Sequence, residues 1–251
     1  MSGHSKWSQI RRQKGVNDAR RGQLFTRLGR EITVAARSGT PDPDANFRLR
    51  LAVQKARDNN MPLDNIQRAI QRAAGIGEGA HLDEITYEGY GPSGVAILVE
   101  AVTDNRNRTV AEVRNVFSRN GGNMGETGSV AWMFEPRGVI SIDADGKSPE
   151  DIELAAIDAG ALDVNVDGTD VTVYTETGAL DDIRRALAER FKVTDAEATV
   201  IPQTTVELDG EKAPQVLKLI ERLEDLDDIQ RVHANVDLSE ELMAEYENAS
   251  R

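Results

Sequence analysis

The stretch ITYEGYGPSGVAILVEAV, residues 85–102, decides the fold class, because two strand-like runs flank a Gly-Pro-Ser-Gly turn. Residues 85–90 and 95–102 are rich in β-branched and aromatic side chains, which favour strands. The letters from Gly89 to Gly94 also match a dinucleotide-binding loop, but that loop must lead into a helix whose N-terminus holds pyrophosphate. A strand follows here instead. The stretch therefore predicts a β-hairpin and no cofactor site.

Downstream of the hairpin, the order of predicted elements indicates two α/β domains. A helix is predicted at Thr109–Asn120, with Thr109 as its cap, and a strand at 129–134. Six elements between residues 139 and 201 follow the strand-helix-strand-strand-helix-strand order of a ferredoxin-like domain. Residues 205–236 then supply a strand, a helix and a strand, which the first α/β domain lacks. We infer that the ferredoxin-like domain is inserted into the middle domain.

Upstream of the hairpin, the stretch from Asp18 to Arg37 predicts a helix with an apolar face and an arginine face. The apolar positions are Leu24, Phe25, Leu28, Ile32 and Ala35, and the opposite positions are Arg20, Arg27, Arg30 and Arg37. This helix is expected to bury one side and to present cations on the other.

Two further helices are predicted before residue 78. The second carries Leu49, Ala52, Val53 and Ala56 on one face, flanked by Arg48 and Lys55. Pro62 suits the first turn of the third. This third helix is predicted to pack Leu63, Ile66 and Ile70 and to end at Gly75.

The predicted fold class is α+β, with a three-helix N-terminal domain followed by two α/β domains. The predicted domains are a basic helical domain at 1–78, a discontinuous α/β domain at 79–136 plus 203–251, and a ferredoxin-like domain at 137–202. A chain of 251 residues is long enough for two or three such cores.

Charge is distributed unevenly along the chain, whose overall net charge is −13. Residues 1–74 hold 15 Lys and Arg against 6 Asp and Glu, a net of +9, so the remainder has a net of −22. An asymmetry of this kind indicates a dedicated polyanion-binding region whose acidic neighbours repel non-specific sites. We therefore expect nucleic acid to bind the N-terminal domain.

Composition and spacing indicate a protein without catalysis, metal or cofactor. The chain has no cysteine and three scattered histidines, and no combination of residues supplies a recognisable nucleophile and base. It has no apolar run of about 18 residues and no secretion signal at its start, so we expect a cytoplasmic protein without a membrane span. It has no helix-turn-helix spacing and no heptads for a dimer that would read half-sites, which argues against sequence-specific regulation on duplex DNA. We expect a monomer.

Cations surround one indole near the N-terminus, and such a segment can neutralise phosphates and stack on an unpaired base. The alternative is a solvated tail whose Trp7 packs against the helices. The predicted nucleic-acid-binding residues of the whole chain are Lys6, Trp7, Arg11, Arg12, Lys14, Arg20, Arg21, Arg27, Arg30, Arg48, Lys55, Arg106 and Arg108. For Arg106 and Arg108, a role in tying one domain to another is an equal alternative.

Six ordered motifs resemble the YebC family and cover about the first 140 residues. They are Gly3-His4-Ser5-Lys6-Trp7, Arg30-Glu31-Ile32, Asn59-Asn60-Met61-Pro62, Tyr87-Glu88-Gly89-Tyr90-Gly91-Pro92, Thr103-Asp104-Asn105-Arg106-Asn107-Arg108-Thr109 and Gly128-Ser129-Val130-Ala131-Trp132. The resemblance implies a three-domain fold with a helical N-terminal domain. It also implies a DNA-binding regulator of transcription. The alternative that it implies is a translation factor that binds ribosomal RNA and helps the ribosome through proline runs.

Overall fold

The structure is a computed structural model that describes residues 18–73, 82–208, 210 and 212–237, with side chains from Gly22 onward. Its described helices are α1 (Asp18–Arg37), α2 (Phe47–Asp58), α3 (Leu63–Ala73), α4 (Arg106–Arg119), α5 (Pro149–Asp158), α6 (Leu180–Ala188) and α7 (Ala213–Glu224). Its described strands are β1 (Asp83–Tyr90), β2 (Ala96–Thr103), β3 (Asn123–Met124), β4 (Phe134–Asp143), β5 (Asp163–Asp167), β6 (Asp170–Thr175), β7 (Lys192–Pro202), β8 (Val206–Glu207), β9 (Ile229–Ala234) and β10 (Val236–Asp237). The predicted α+β class is confirmed.

The first three described helices pack around a shared apolar core. Its buried members include Leu28, Ile32, Ala35, Leu49, Ala52, Val53, Ala56, Ile66 and Ala69. Asn46 fixes the start of α2, because its side chain accepts the Leu49 N–H at 3.1 Å and donates to the Ala35 carbonyl at 2.8 Å. One buried asparagine therefore caps α2 and joins it to the end of α1. The predicted apolar face of α1 is confirmed.

The predicted burial of Leu63 is wrong. This residue begins α3 and its side chain is 59% exposed. Met61, two residues earlier, is buried in the core instead, and Ile66 and Ala69 supply the buried face of the helix. The predicted end of this helix at Gly75 lies outside the described residues.

The hairpin predicted from residues 85–102 forms the centre of the first sheet. Antiparallel register runs from Asp83 opposite Thr103 to Tyr90 opposite Ala96. A short 3-10 turn over Pro92–Gly94 connects the strands, with Ser93 and Gly94 at positive φ. The glycine-rich letters therefore form a strand connection, as predicted. The sheet of the described strands has the order β3-β1-β2-β9.

The end of the chain completes this sheet. Strand β9 pairs antiparallel with β2, from Ile97 opposite Ala234 to Ala101 opposite Ile229. Buried side chains of α4 and α7, including Phe117 and Leu219, pack with the sheet in one core. The strand predicted near 205–208 does not join this first sheet. It forms β8, which pairs with β10 in a separate two-stranded parallel sheet.

Helix α4 begins earlier than its sequence predicted. Its first residue is Arg106, and its N-cap is Asn105, whose side chain accepts the Arg108 N–H at 3.1 Å. Thr109 is therefore not the cap. It lies inside the helix, fully buried, and its hydroxyl lies 2.8 Å from that of Thr103.

The prediction of a strand at 129–134 is also wrong, since a 3-10 turn occupies Ala131–Met133 and β4 begins at Phe134. The buried carboxylate of Glu88 accepts the backbone N–H groups of Gly128, Val130 and Ala131 at 2.6–2.8 Å. Burial would raise the pKa of Glu88, but these three hydrogen bonds hold it below its ordinary value. Backbone donors that bind a carboxylate cannot join a strand ladder.

Residues 135–201 form a compact unit of their own. Their strands have the order β5-β6-β4-β7, and β6 pairs antiparallel with both β5 and β4. This is the ferredoxin-like arrangement that the sequence predicted. The described residues before and after this unit group together in a second unit. The division into three domains with boundaries at 78, 136 and 202 stays a prediction.

The two chain ends that flank the ferredoxin-like unit meet in one hydrogen bond, from Gln203 N–H to the Met133 carbonyl at 2.8 Å. A short glycine linker in place of residues 138–202 can therefore span the gap. We expect the shortened protein to keep one cooperative unfolding transition, because its core lies outside the deleted segment. Thermal unfolding followed by circular dichroism measures this, and a broad non-cooperative melt would contradict an inserted domain.

Candidate nucleic-acid interface

Helices α1 and α3 form the walls of a groove of about 440 Å³. The Thr33 hydroxyl of α1 donates to the Ala69 carbonyl of α3 at 3.1 Å and fixes the two helices side by side. Arg30 and Arg37 lie two turns apart on α1, and Arg68 and Arg72 lie one turn apart on α3. Four arginines therefore line one groove among the described residues. We call this site the arginine groove.

Apolar side chains complete the lining of the arginine groove. Phe25 is half-buried and Met61 is buried, and both belong to the helical core. One carboxylate, that of Asp104, is present among the described lining residues. Guanidinium groups bind phosphate through paired N–H donors, and an aromatic face beside them can receive a base. This lining suits a phosphate backbone.

The arginines of the groove differ in how strongly the protein holds them. Arg68 donates to neutral acceptors of its own helix, the Asp64 carbonyl and the Asn65 side chain. The side chains of Arg37, Arg68 and Arg72 are exposed. Arg30 is only 18% exposed and donates to the Asp227 carbonyl at 2.7 Å. Arg30 therefore anchors one side of the groove, while the arginines near its rim face solvent.

Beside the groove, the buried carboxylate of Asp228 contacts cations and hydroxyl groups from three segments, namely α1, β2 and α4. Its Oδ2 accepts hydrogen bonds from Arg108 at 2.6 Å, Thr109 at 2.7 Å and Thr103 at 3.0 Å. Nη1 of Arg30 lies 2.8 Å from Oδ1, close enough for an ion pair, although Oδ1 receives no aligned hydrogen bond. We call these five residues the Asp228 cluster.

The Asp228 cluster stabilises the ionised carboxylate. Burial by itself would raise the pKa of Asp228, whose side chain is 2% exposed. Hydrogen bonds from Arg108, Thr109 and Thr103 and the charge of Arg30 outweigh burial and lower this pKa below its ordinary value. The cluster therefore ties α1 to the loop before β9 through a charge that persists at neutral pH.

A second arginine of α1 strengthens the same attachment. Arg27 donates to the backbone carbonyls of Glu224 and Leu226 at the end of α7. Burial lowers the pKa of Arg27, and the charges of Asp225 and Asp227 oppose that shift. This predicted nucleic-acid-binding residue therefore has a structural partner inside the protein.

The remaining predicted cations of the described chain also have carboxylate partners. Arg48 lies 2.6 Å from Glu84, Lys55 lies 3.8 Å from Glu31, and Arg106 lies 2.8 Å from Asp83. The Arg48 and Arg106 side chains are more than half exposed, and solvent screens exposed ion pairs so that they contribute little to stability. A phosphate can therefore compete for these two arginines at little cost.

Part of the predicted interface lies outside the described residues, namely Lys6, Trp7, Arg11, Arg12 and Lys14. Arg20 and Arg21 belong to α1, but their side chains are outside the description. The sequence prediction missed Arg68 and Arg72. Their spacing of four residues on a predicted helix, away from Ile66 and Ile70, is the signal that could have found them.

Within the described part of the chain, no group of three or more His, Cys, Asp and Glu side chains is placed to hold a metal ion. Across the same residues, every helix is too short or too polar to cross a membrane.

Comparison with known proteins assigns the family. One family model, the TACO1/YebC protein N-terminal domain, matches residues 5–76, and a second, the TACO1/YebC second and third domain, matches residues 82–236. The chain belongs to the TACO1/YebC family. The resemblance seen in the six motifs is thereby confirmed. The first model spans both groove helices, and the second spans the first sheet and the ferredoxin-like unit.

Relatives in this family are similar to the chain over nearly its whole length. A protein of Herpetosiphon aurantiacus is 54% identical over 248 residues, which cover 98% of each chain. A protein of Chloroflexus aurantiacus is 56% identical over 251 residues, covering 98% of this chain and all of the relative. Both relatives are named probable transcriptional regulatory protein.

A crystal structure of a conserved hypothetical protein from Aquifex aeolicus has a similar fold. It is 45% identical to this chain, with a TM-score of 0.82, and the match covers 89% of this chain and 93% of the other. The YebC-type fold of the chain is thus supported by a solved relative.

The lowered pKa of Asp228 predicts an acid-sensitive contribution to stability. A carboxylate whose folded pKa is depressed stabilises the fold above its unfolded pKa, and this stabilisation is lost as the pH falls through the folded value. We expect Asp228→Asn to lower the free energy of unfolding by about 3 kcal/mol at pH 7, because it removes the carboxylate beside Arg30 and one of the two carboxylates that pair with Arg108, the other being Asp104.

Urea unfolding of both proteins between neutral and acidic pH measures this difference, which should shrink toward low pH. Asp227→Asn is the matched control, since that side chain is exposed and its carbonyl still accepts Arg30. An equal loss in the two variants would contradict the role of the Asp228 cluster.

Proposed function

We propose that this protein is a non-enzymatic, nucleic-acid-binding regulator of gene expression, and that the arginine groove contacts the phosphate backbone. The convergence of Arg30, Arg37, Arg68 and Arg72 on one groove carries the proposal. In a chain with a net charge of −13, such a cluster opposes the overall charge and attracts polyanions locally.

The acidic remainder of the chain supports a selective role for the groove. Outside residues 1–74 the net charge is −22, so the other surfaces repel nucleic acid. Binding should therefore be confined to the helical region, with the basic residues from Lys6 to Arg21 close to the groove in sequence. Phosphate contacts of this kind fix the position of a ligand but carry no sequence information.

The names of the relatives favour transcription as the regulated process. We propose duplex DNA as the ligand, because that is the nucleic acid on which transcription acts. We further propose that the protein acts in the cytoplasm as a monomer. The competing function is that of a translation factor on ribosomal RNA. The position of Phe25 in the groove supports this alternative, because an aromatic ring can stack on an unpaired base but not on the paired bases of a duplex.

Reversing the groove charges tests this function. We expect Arg37→Glu, Arg68→Glu and Arg72→Glu together to weaken binding to duplex DNA of any sequence, because the variant loses phosphate contacts. Each lost contact reduces the slope of log affinity against log salt concentration by about 0.9. Fluorescence anisotropy at several salt concentrations should show the slope falling by about 2 to 3.

The matched control reverses Arg114, Arg119 and Arg190, which are exposed outside the groove and change the net charge equally. If both triple variants lost the same affinity, the overall charge of the protein would explain the effect. That result would contradict the proposal that the arginine groove binds the phosphate backbone. The same titration with a stem-loop RNA separates the two functions. Groove-dependent binding to the RNA with none to the duplex would favour the translation factor.

A further inference from the structure

The ferredoxin-like unit exposes a set of large apolar side chains on and beside α5. Leu154 is 61% exposed, Ile157 56%, Leu162 50% and Val166 37%. Single exposed apolar residues are ordinary, whereas a cluster on neighbouring elements marks an interaction surface. We call these four residues the α5 patch.

The geometry of α5 explains why these residues are left outside the core. Ile152 and Ala156 are fully buried and occupy the face of the helix that packs on the sheet. Leu154 and Ile157 are three residues apart, so they share a different side of the same helix. Leu162 follows α5, and its N–H donates to the Tyr174 carbonyl at 2.8 Å, which fixes it beside the sheet.

Val166 extends the α5 patch to the rim of the sheet. It stands opposite the buried Val171 on β6, so both side chains lie on the same face of the sheet. Strand β5 ends the sheet order of the described strands, and one side of its backbone therefore has no neighbouring strand there. Helix α5 contacts β5 directly. The patch thus runs from a helix side to an open sheet edge.

The α5 patch belongs to a strongly acidic unit. Residues 135–201 hold 16 Asp and Glu against 6 Lys and Arg, a net charge of −10. Helix α5 itself carries four acidic residues and no Lys or Arg. Asp158 lies one turn after Leu154, and Glu153 lies one turn before Ile157. A ligand for this surface must therefore combine apolar side chains with positive charge.

We propose that the α5 patch docks a Lys- and Arg-rich amphipathic segment of a partner protein. The apolar residues of such a segment cover Leu154 and Ile157, and its cations face Glu153 and Asp158. Charge complementarity selects this occupant over two others. Nucleic acid is repelled by the carboxylates, and two copies of the chain that paired through this same patch would place acidic rims against each other. The inference is independent of the arginine groove.

The direct test measures binding of a defined probe to the full-length protein. The probe is a fluorescein-labelled helical peptide of about 16 residues made of Leu and Lys at the amphipathic period. Its acidic twin has Glu in place of Lys. We expect the basic peptide to bind in a salt-dependent way and the acidic twin to bind at least about tenfold more weakly. Equal binding of the two peptides would overturn the proposal.

Two variants locate the site of binding. Leu154→Gln with Ile157→Gln removes the apolar anchors while leaving the buried Ile152 and Ala156 in place, and should weaken the basic peptide about tenfold. The matched control is Leu63→Gln, which changes a leucine of similar exposure, 59%, in α3. We expect the control to bind like the parent protein. Unchanged binding by the double variant, or equal loss in the control, would overturn the assignment.

A photo-crosslinking amino acid at position 157, introduced in cells, identifies the natural occupant. Support requires adducts to another protein whose crosslinked peptides contain Lys or Arg together with apolar residues. Adducts to this chain itself, to nucleic acid or to no macromolecule would overturn the proposal. Thermal unfolding of the double variant, compared with that of the parent, verifies that its core is intact. Nucleic-acid binding by the same variant should be unchanged, which separates this site from the arginine groove.

Discussion

The buried charge of Asp228 is the constraint on which the arrangement of the helical region depends. A carboxylate that is 2% exposed must be compensated, and its compensating groups come from α1, β2 and α4. Arg30 can therefore serve the arginine groove only from a fixed position, since it also approaches Asp228. Breaking such a cluster leaves an uncompensated buried charge, which is far more costly than losing an exposed pair.

This constraint divides the cations of the protein into two classes. Arg27 and Arg30 are held by backbone carbonyls and carboxylates at the end of α7, and they orient α1. Arg68 and Arg72 project from α3 and are exposed. A surface that recognises phosphate needs both classes, because rigid walls reduce the entropy lost on binding while exposed guanidinium groups supply the attraction.

Sequence periodicity predicted the helices, the hairpin and the ferredoxin-like order, because those features depend on residues near each other in the chain. It could show that Arg30 lies opposite the apolar face of α1, but not that its acceptor on Asp227 stands 197 residues away. It likewise missed Asn105 as the cap of α4 and the effect of Glu88 on residues 128–131. Hydrogen bonds between distant segments leave no periodic signal. Periodicity could have marked Arg68 and Arg72 as neighbours on one face of α3, but only the packing of α1 on α3 places them in one groove with Arg30 and Arg37.

The completion of the first sheet by β9 has a consequence for synthesis on the ribosome. Ile97 of β2 pairs with Ala234, so the central hairpin emerges long before the strand that covers its edge. The ferredoxin-like unit is contiguous in sequence and can fold during this interval, whereas the first sheet cannot be completed until β9 has been synthesised. During that delay β2 offers unpaired N–H and C=O groups, which are a template for association with other chains. The order of translation therefore leaves β2, an interior strand of the finished sheet, exposed as an edge strand while the chain is being made.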